Sequence, residues 1–242
     1  MLRIALVGYG KMGKSVEKEA TARGHTISHV IDKENIDAIH SLSTDSVDVI
    51  IEFTHPESIL SNLRALLPTQ IPIVTGTTGW DHMHTEVQQW VKTHQASLLF
   101  SSNFSVGVNI LFKLNQKLAQ IMNAYPAYDC FIEERHHRYK MDAPSGTAMT
   151  LAQQIIESLE KKDKIVTSAL QNRKPNEDEL SIGSIRSGEI IGQHTVSYTS
   201  AIDTISILHT AHNRRGFALG AVIAAEWLHD KRGMYNFADI FD

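Results

Sequence analysis

Cysteine is almost absent: of 242 residues only Cys130 carries a thiol, and it lies within an apolar stretch. One thiol closes no intramolecular disulfide, so a covalent framework is excluded and a reducing compartment, the cytoplasm, is expected. Long apolar runs are missing too. No stretch of about eighteen apolar residues occurs, which argues against a membrane-spanning helix. Met1 leads at once into "IALV", residues 4–7, too short for a signal-peptide core, so secretion is not expected. Excess charge of one sign is also lacking. A net charge of -4 and a pI near 6.3 give no whole-chain attraction to nucleic acid, and no local basic patch stands out. Internal repeats and Pro- or Gly-rich linkers are absent. What remains, 42% hydrophobic against 21% charged residues, is the composition of a soluble globular chain long enough for one large domain or two small ones.

"RIALVG", "TISHVID", "VDVIIEFT", "IPIVTGTT" and "SLLFSSNF" are short apolar runs, separated by segments that read as helix, such as "PESILSNLRALL" and "DHMHTEVQQWVKTH". That alternation specifies a parallel sheet with helices on its faces. After Phe104 the pattern changes. "VGVNILFKLNQKLAQIMNAY" reads as one long amphipathic helix, "YDCFIEERHH" as a strand, and residues 145–161 as a second helix. "SIGSIRSG", "IIGQHTVSYTS" and "DTISILHTA" then predict a sheet-rich segment, and "GFALGAVIAAEWLHD" a buried helix that returns to the first domain. The fold class expected is α/β: a Rossmann-type parallel sheet in residues 1–104, completed by 216–242, plus a smaller α+β domain with a mixed sheet in 105–215.

The chemistry starts at "GYGKMG". Gly8, Gly10 and Gly13 have the G-x-G-x-x-G spacing between a strand and a helix, with Tyr9, Lys11 and Met12 between them. Glycines there permit a tight turn and close approach of a pyrophosphate, and the helix N-terminus offers free N–H groups and partial positive charge. Asp32 ends the second strand, about 20 residues on, where an acid bonds the ribose hydroxyls of a dinucleotide. Lys33 follows it and could meet a 2′-phosphate or stay solvated, which leaves NADH and NADPH both open. "GTTG" (Gly76, Thr77, Thr78) and "SSNF" (Ser101, Ser102, Asn103, Phe104) follow later strands and would border the same crevice. Serine, threonine and asparagine serve equally as caps and turns, so position alone supports both uses.

"EERHHRYKMDAPSGTA", residues 133–148, gathers two histidines, further basic residues and a Pro-Ser-Gly-Thr helix start. A His-His pair alone is more often structural than catalytic. No histidine of this chain has a third ligand at zinc-like spacing, so no metal is expected. Glu134 and Asp142 could orient the basic residues, with surface solvation as plausible for Glu134. Pro144 suits the first helical turn.

The whole stretch resembles the signature E-x-H-H-x-x-K-x-D-x-P-S-G-T-A of the 4-hydroxy-tetrahydrodipicolinate reductase (dihydrodipicolinate reductase) family. "GYGKMG", Asp32, "EFTHP", "GTTG", "SSNFSVGVN" and "HTAHNRRGFALGA" occur in the family's order, so the resemblance spans nearly the whole chain. The chain departs from longer members chiefly in having little sequence between Asp32 and "VDVIIEFT". The resemblance implies an NAD(P)H-dependent reductase of a cyclic dicarboxylate in the diaminopimelate route to lysine, usually a homotetramer assembled through its mixed sheets. It further implies that His136 is the acid/base residue and Lys140 the proton donor. His137, Ser145, Gly146 and Thr147 would contact substrate, Arg214 would lie near the cleft or in a salt bridge, and Phe53 and Thr54 would meet the coenzyme. Two rivals share the glycine loop: another two-domain amino-acid or semialdehyde dehydrogenase, and a silent NAD(P)H-sensing module.

Overall fold

The computed structural model describes residues 1–167 and 172–241; Asp242, the end of the expected C-terminal segment, lies outside them. Two compact units are present, Met1–Val106 with Arg215–Asp242, and Gly107–Arg214.

In the first unit the apolar runs become β1 (Arg3–Val7), β2 (Thr26–Ile31), β3 (Val49–Glu52), β4 (Ile73–Thr75) and β5 (Ser97–Phe100), all parallel. The central strands are buried on both faces, which is why they read as near-continuous hydrophobic runs. Ile4 and Leu6 face a core shared with α1 (Lys11–Ala22) and α6 (Arg215–Leu228). Ala5 and Val7 face the opposite core, under α2 (Ile59–Leu66) and α3 (His84–Thr93). The sheet order is β11-β5-β4-β3-β1-β2, where β11 (Gly233–Asn236) is an edge strand that sequence reading missed. The short spacing after Asp32 leaves only a six-residue 3-10 turn, Ile36–Ser41, between β2 and β3.

The second unit is a five-stranded mixed sheet of order β10-β9-β6-β8-β7: β6 (Asp129–His136), β7 (Lys164–Val166), β8 (Glu179–Arg186), β9 (Gly192–Thr199) and β10 (Thr204–Ala211). Central β6 is parallel to β8 and antiparallel to β9. One face, with Cys130, Ile132, Ile182 and Val196, is covered by α4 (Val106–Met122) and α5 (Gly146–Ser158). The other exposes Phe131, Ile185 and Leu208. Helix α5 corrects one expectation. Its N-cap is Ser145, whose Oγ accepts the Ala148 N–H at 3.2 Å, so Pro144 precedes the cap instead of occupying the first turn. A serine hydroxyl satisfies one of the orphan amides of a helix start, which proline cannot do, and such a cap contributes about 1 kcal/mol.

Candidate active site

Strand alternation carries Cys130, Ile132, Glu134 and His136 to the buried side of β6, so an apolar stripe ends in an acid and an imidazole. The register then chooses their neighbours. Glu134 stands between Ser184 of β8 and His194 of β9, and His136 stands beside Arg186. Glu134 is fully buried, which overturns the solvated alternative. Its Oε2 accepts a hydrogen bond from His136 Nδ1. An ionised carboxylate only accepts, so Nδ1 carries the proton and Nε2 is left with its lone pair. Oε1 accepts from Arg186 Nη2 at 2.6 Å and from the Ser145 amide at 3.3 Å.

These contacts set the charge states. Burial alone would raise the Glu134 carboxyl, but hydrogen bonds from Arg186, Ser184 and His136 hold it below the usual range. Burial lowers His136, aided by the nearby Lys140 and Arg186 cations, against the pull of Glu134. His194 is pushed down to about 4 by burial and by His136, whose ring centroid lies 5.1 Å away. Both imidazoles are therefore neutral near pH 7 in the unliganded protein.

The remaining residues of the signature sit around this pair. Strand β6 ends at His136, so His137 begins the turn, half-buried, with a buried Nδ1 that has no partner among the described residues. Lys140 Nζ donates to both oxygens of Asp142, at 2.7 and 2.8 Å, and lowers that carboxyl. Ser145 is buried: its amide is on Glu134, and its Oγ lies 3.0 Å from His194 Nε2 while capping α5. The next two residues, Gly146 and Thr147, open the helix with N–H groups that find no acceptor among the described residues. Arg214 is exposed, immediately before α6.

Folding also brings Glu134, His136 and His194 within 4.8 Å of one another, a grouping no sequence spacing reveals. Both Glu134 oxygens are engaged, one of them by a guanidinium, so a bound cation would have to displace Arg186 or face its charge.

In the first unit the expected coenzyme loops follow the carboxyl ends of β1, β3, β4 and β5. Gly8 has φ +95°, and a Cβ there would lie 2.0 Å from the Phe53 carbonyl oxygen, so only glycine fits. A Cβ on Gly10 would meet nothing within 4 Å, which leaves open space at the start of α1 for a pyrophosphate. Tyr9 bonds Glu17, exposed Lys11 opens α1, and Met12 and Gly13 pack inward. Asp32 Oδ1 accepts the Glu34 amide at 2.8 Å; Oδ2 has no partner among the described residues and suits a ribose hydroxyl, and Lys33 is exposed. Phe53 and Thr54 follow β3, with Thr54 N donating to Thr77 Oγ1 at 2.8 Å; Gly76 underlies the Phe53 ring and Thr78 is exposed. Ser101 is buried and bonded to Asn103, Ser102 is exposed, and the Phe104 ring packs between Phe53 and Phe237. The loops fit a dinucleotide, while the Phe104 ring belongs to the core.

Sequence reading missed Arg186, His194 and Glu52. The first two lie in strands read only as sheet, and they meet Glu134 and His136 only once β6 is set between β8 and β9.

Residues 2–104 match the family described as dihydrodipicolinate reductase, N-terminus, and residues 107–241 the one described as dihydrodipicolinate reductase, C-terminus. The 4-hydroxy-tetrahydrodipicolinate reductase of Christiangramia forsetii is 43% identical over 239 residues, 99% of this chain and 97% of the relative. Among solved structures, a dipicolinate-bound dihydrodipicolinate reductase from Paenisporosarcina sp. TG-14 is similar with a TM-score of 0.78 at 23% identity, covering 99% of each chain. The DAP dehydrogenase of C. glutamicum, in complex with DAP, gives 0.56 at 15% identity over 98% of this chain and 93% of that one. At such identities the two structures speak for the fold alone.

Proposed function

This chain belongs to the dihydrodipicolinate reductase family, and we propose that the Glu134–His136 pair and the start of α5 form the substrate half of its active site. The reaction is the NAD(P)H-dependent reduction of 4-hydroxy-tetrahydrodipicolinate to tetrahydrodipicolinate in the diaminopimelate route to lysine. The observation that carries the reading is that one buried carboxylate, Glu134, holds both the His136 imidazole and the Ser145 amide at the mouth of the helix.

The substrate is a ring with two carboxylates and a conjugated imine. When bound, the coenzyme supplies a hydride, and electron density moves onto the ring nitrogen, which must gain a proton. Lys140 Nζ is the donor that delivers it, and His136 Nε2, whose lone pair takes up a proton as the dianion binds, is the acid/base partner; cationic groups there stabilise developing charge more in the transition state than in the ground state. The Gly146 and Thr147 amides receive one carboxylate, as helix N-termini receive anions generally. His137 binds the ligand through its unpartnered nitrogen. Ser145 fixes the helix start, and Arg214 adds positive charge. A dicarboxylate such as dipicolinate binds the same groups.

The coenzyme, NADH or NADPH, is held by the loops carrying Gly8, Gly10, Asp32, Thr54 and Thr77. The uncovered face of the mixed sheet, with Phe131, Ile185 and Leu208, joins copies of the chain into a homotetramer. No helix among the described residues is long and apolar enough to cross a membrane, and the free thiol of Cys130 suits the cytoplasm.

Initial rates with synthase-generated substrate test the reading. Wild type should oxidise NADH or NADPH, and His136→Gln should lower kcat about a hundredfold with NADH affinity unchanged. A loss confined to NADH affinity would remove His136 from the chemistry.

A further inference from the structure

One buried acid has no part in the proton chemistry. Glu52 ends β3, is fully buried, and pairs in register with Thr75 of β4. Its carboxylate accepts from Thr54 Oγ1, from Thr75 Oγ1 at 2.5 Å and from Asn62 Nδ2 at 3.4 Å, and the Thr77 hydroxyl also reaches it. No cation pairs with it among the described residues. Burial pushes this carboxyl upward from its ordinary value, and the hydrogen bonds hold it back.

The network has a direction. The Thr54 and Thr75 hydroxyls give their protons to Glu52; Thr75 Oγ1 receives the Thr77 N–H in return, at 3.2 Å, and Thr77 Oγ1, beside the carboxyl, receives the Thr54 N–H at 2.8 Å. An ionised carboxylate accepts about four hydrogen bonds while donating none, so these donors favour that form against the burial that raises the group. Glu52 thereby fastens the loop after β3 to the loop after β4. The next residue, Phe53, is where three loops meet, since a Cβ at Gly8 would strike its carbonyl oxygen at 2.0 Å and a Cβ at Gly76 its ring at 1.9 Å.

We propose that Glu52 is a positioning residue for the coenzyme, setting the spacing of the Gly8, Thr54 and Gly76 loops through its ring of hydroxyl donors. The proposal rests on the reading of these loops as the coenzyme site. Glu52→Gln keeps the shape but turns an –NH₂ toward hydroxyls that already point at it. One of them must rotate and loosen the loop amide it accepts.

NADH fluorescence titration, kcat at saturating NADH, the KM for substrate and Tm should be measured for wild type, Glu52→Gln, Thr75→Val and Gly10→Ala. Glu52→Gln should weaken NADH about tenfold, as expected for a hydrogen bond to a charged group, with kcat and substrate KM within about twofold. Thr75→Val should weaken NADH about threefold in the same selective way. Unchanged NADH affinity, or an equal fall in kcat at saturating NADH, overturns the proposal; should Glu52→Gln fail to fold, Thr75→Val decides the matter by the same two criteria. Gly10→Ala checks the underlying reading, because its methyl meets no protein atom within 4 Å yet enters the space assigned to the pyrophosphate. If it leaves NADH binding intact, these loops are not the coenzyme site. If it weakens NADH while Glu52→Gln and Thr75→Val do not, the loops hold coenzyme and Glu52 has no positioning role.

Discussion

Glu134 and His136 lie two residues apart on the buried side of β6, and the carboxylate of the first accepts the Nδ1 proton of the second. That bond fixes the tautomer and leaves the Nε2 lone pair free, the atom proposed to meet the ligand. Glu134→Gln removes the charge that stabilises an imidazolium and permits the wrong ring orientation, so kcat should fall about a hundredfold with NADH affinity unchanged. The same change leaves Arg186 without its buried partner and should cost roughly 3 kcal/mol of stability. Urea unfolding and turnover, compared at a temperature where both proteins are folded, separate the effects. A variant that is destabilised but turns over normally would make Glu134 purely structural.

Ligand binding should take up a proton. Unliganded His136 is neutral near pH 7 because burial and the Lys140 and Arg186 cations outweigh Glu134, and the neighbouring His194 is neutral as well. A dianion placed beside it reverses that balance and raises the imidazole. The complex then binds more protons than the free protein, so dicarboxylate affinity should weaken as pH rises through neutrality. Calorimetry with dipicolinate in two buffers of different ionisation enthalpy reads the uptake directly. Zero uptake near pH 7 would mean that His136 does not sense the ligand's charge.

Much of this was legible in the chain itself, and the losses have physical causes. The parallel strands could be read because burial on both faces leaves apolar runs such as "VDVIIEFT". Strand β11, "GMYN", could not, since its short, half-polar segment becomes a strand only by pairing with β5. "PSGT" announced a helix start but not which residue caps it. Alternation through "DCFIEERH" already points Glu134 inward with Ile132. An acid beside a charged turn nevertheless reads equally well as solvated or as an orienting partner, and its burial is made tolerable by Arg186, 52 positions away. His194 is concealed in the same manner, as an ordinary strand residue until β9 pairs with β6.

Gly192 gives His136 its room. A methyl there would lie 3.1 Å from Nε2 and 3.4 Å from Cδ2, so the ring must yield by a few tenths of an ångström. Misplacement on that scale degrades alignment without unfolding the strand. Gly192→Ala should lower kcat roughly tenfold and weaken dipicolinate, with stability changed by less than about 1 kcal/mol and NADH affinity unaltered. Full activity would place the working nitrogen elsewhere.

His194 should dominate one window of the acid stability curve. Its ordinary value is near 6.5 and its folded value about 4, so between these the unfolded chain binds a proton that the folded protein refuses. The stability it contributes is therefore present above about pH 6.5 and lost as pH falls toward about 4, roughly 3 kcal/mol in all and about 2 kcal/mol of it between pH 7 and 5. His136 adds to the loss in the same direction, and Glu134, held low, adds its share only in more acidic solution. His194→Gln keeps a donor and an acceptor near Ser145 Oγ but does not titrate. Its unfolding free energy should fall by about 2 kcal/mol less than that of wild type between pH 7 and 5, measured by urea titration at each pH. Equal slopes for the two proteins would show that folded His194 takes up its proton as readily as the unfolded chain does, and with it the proposed charge pattern around His136 would fail.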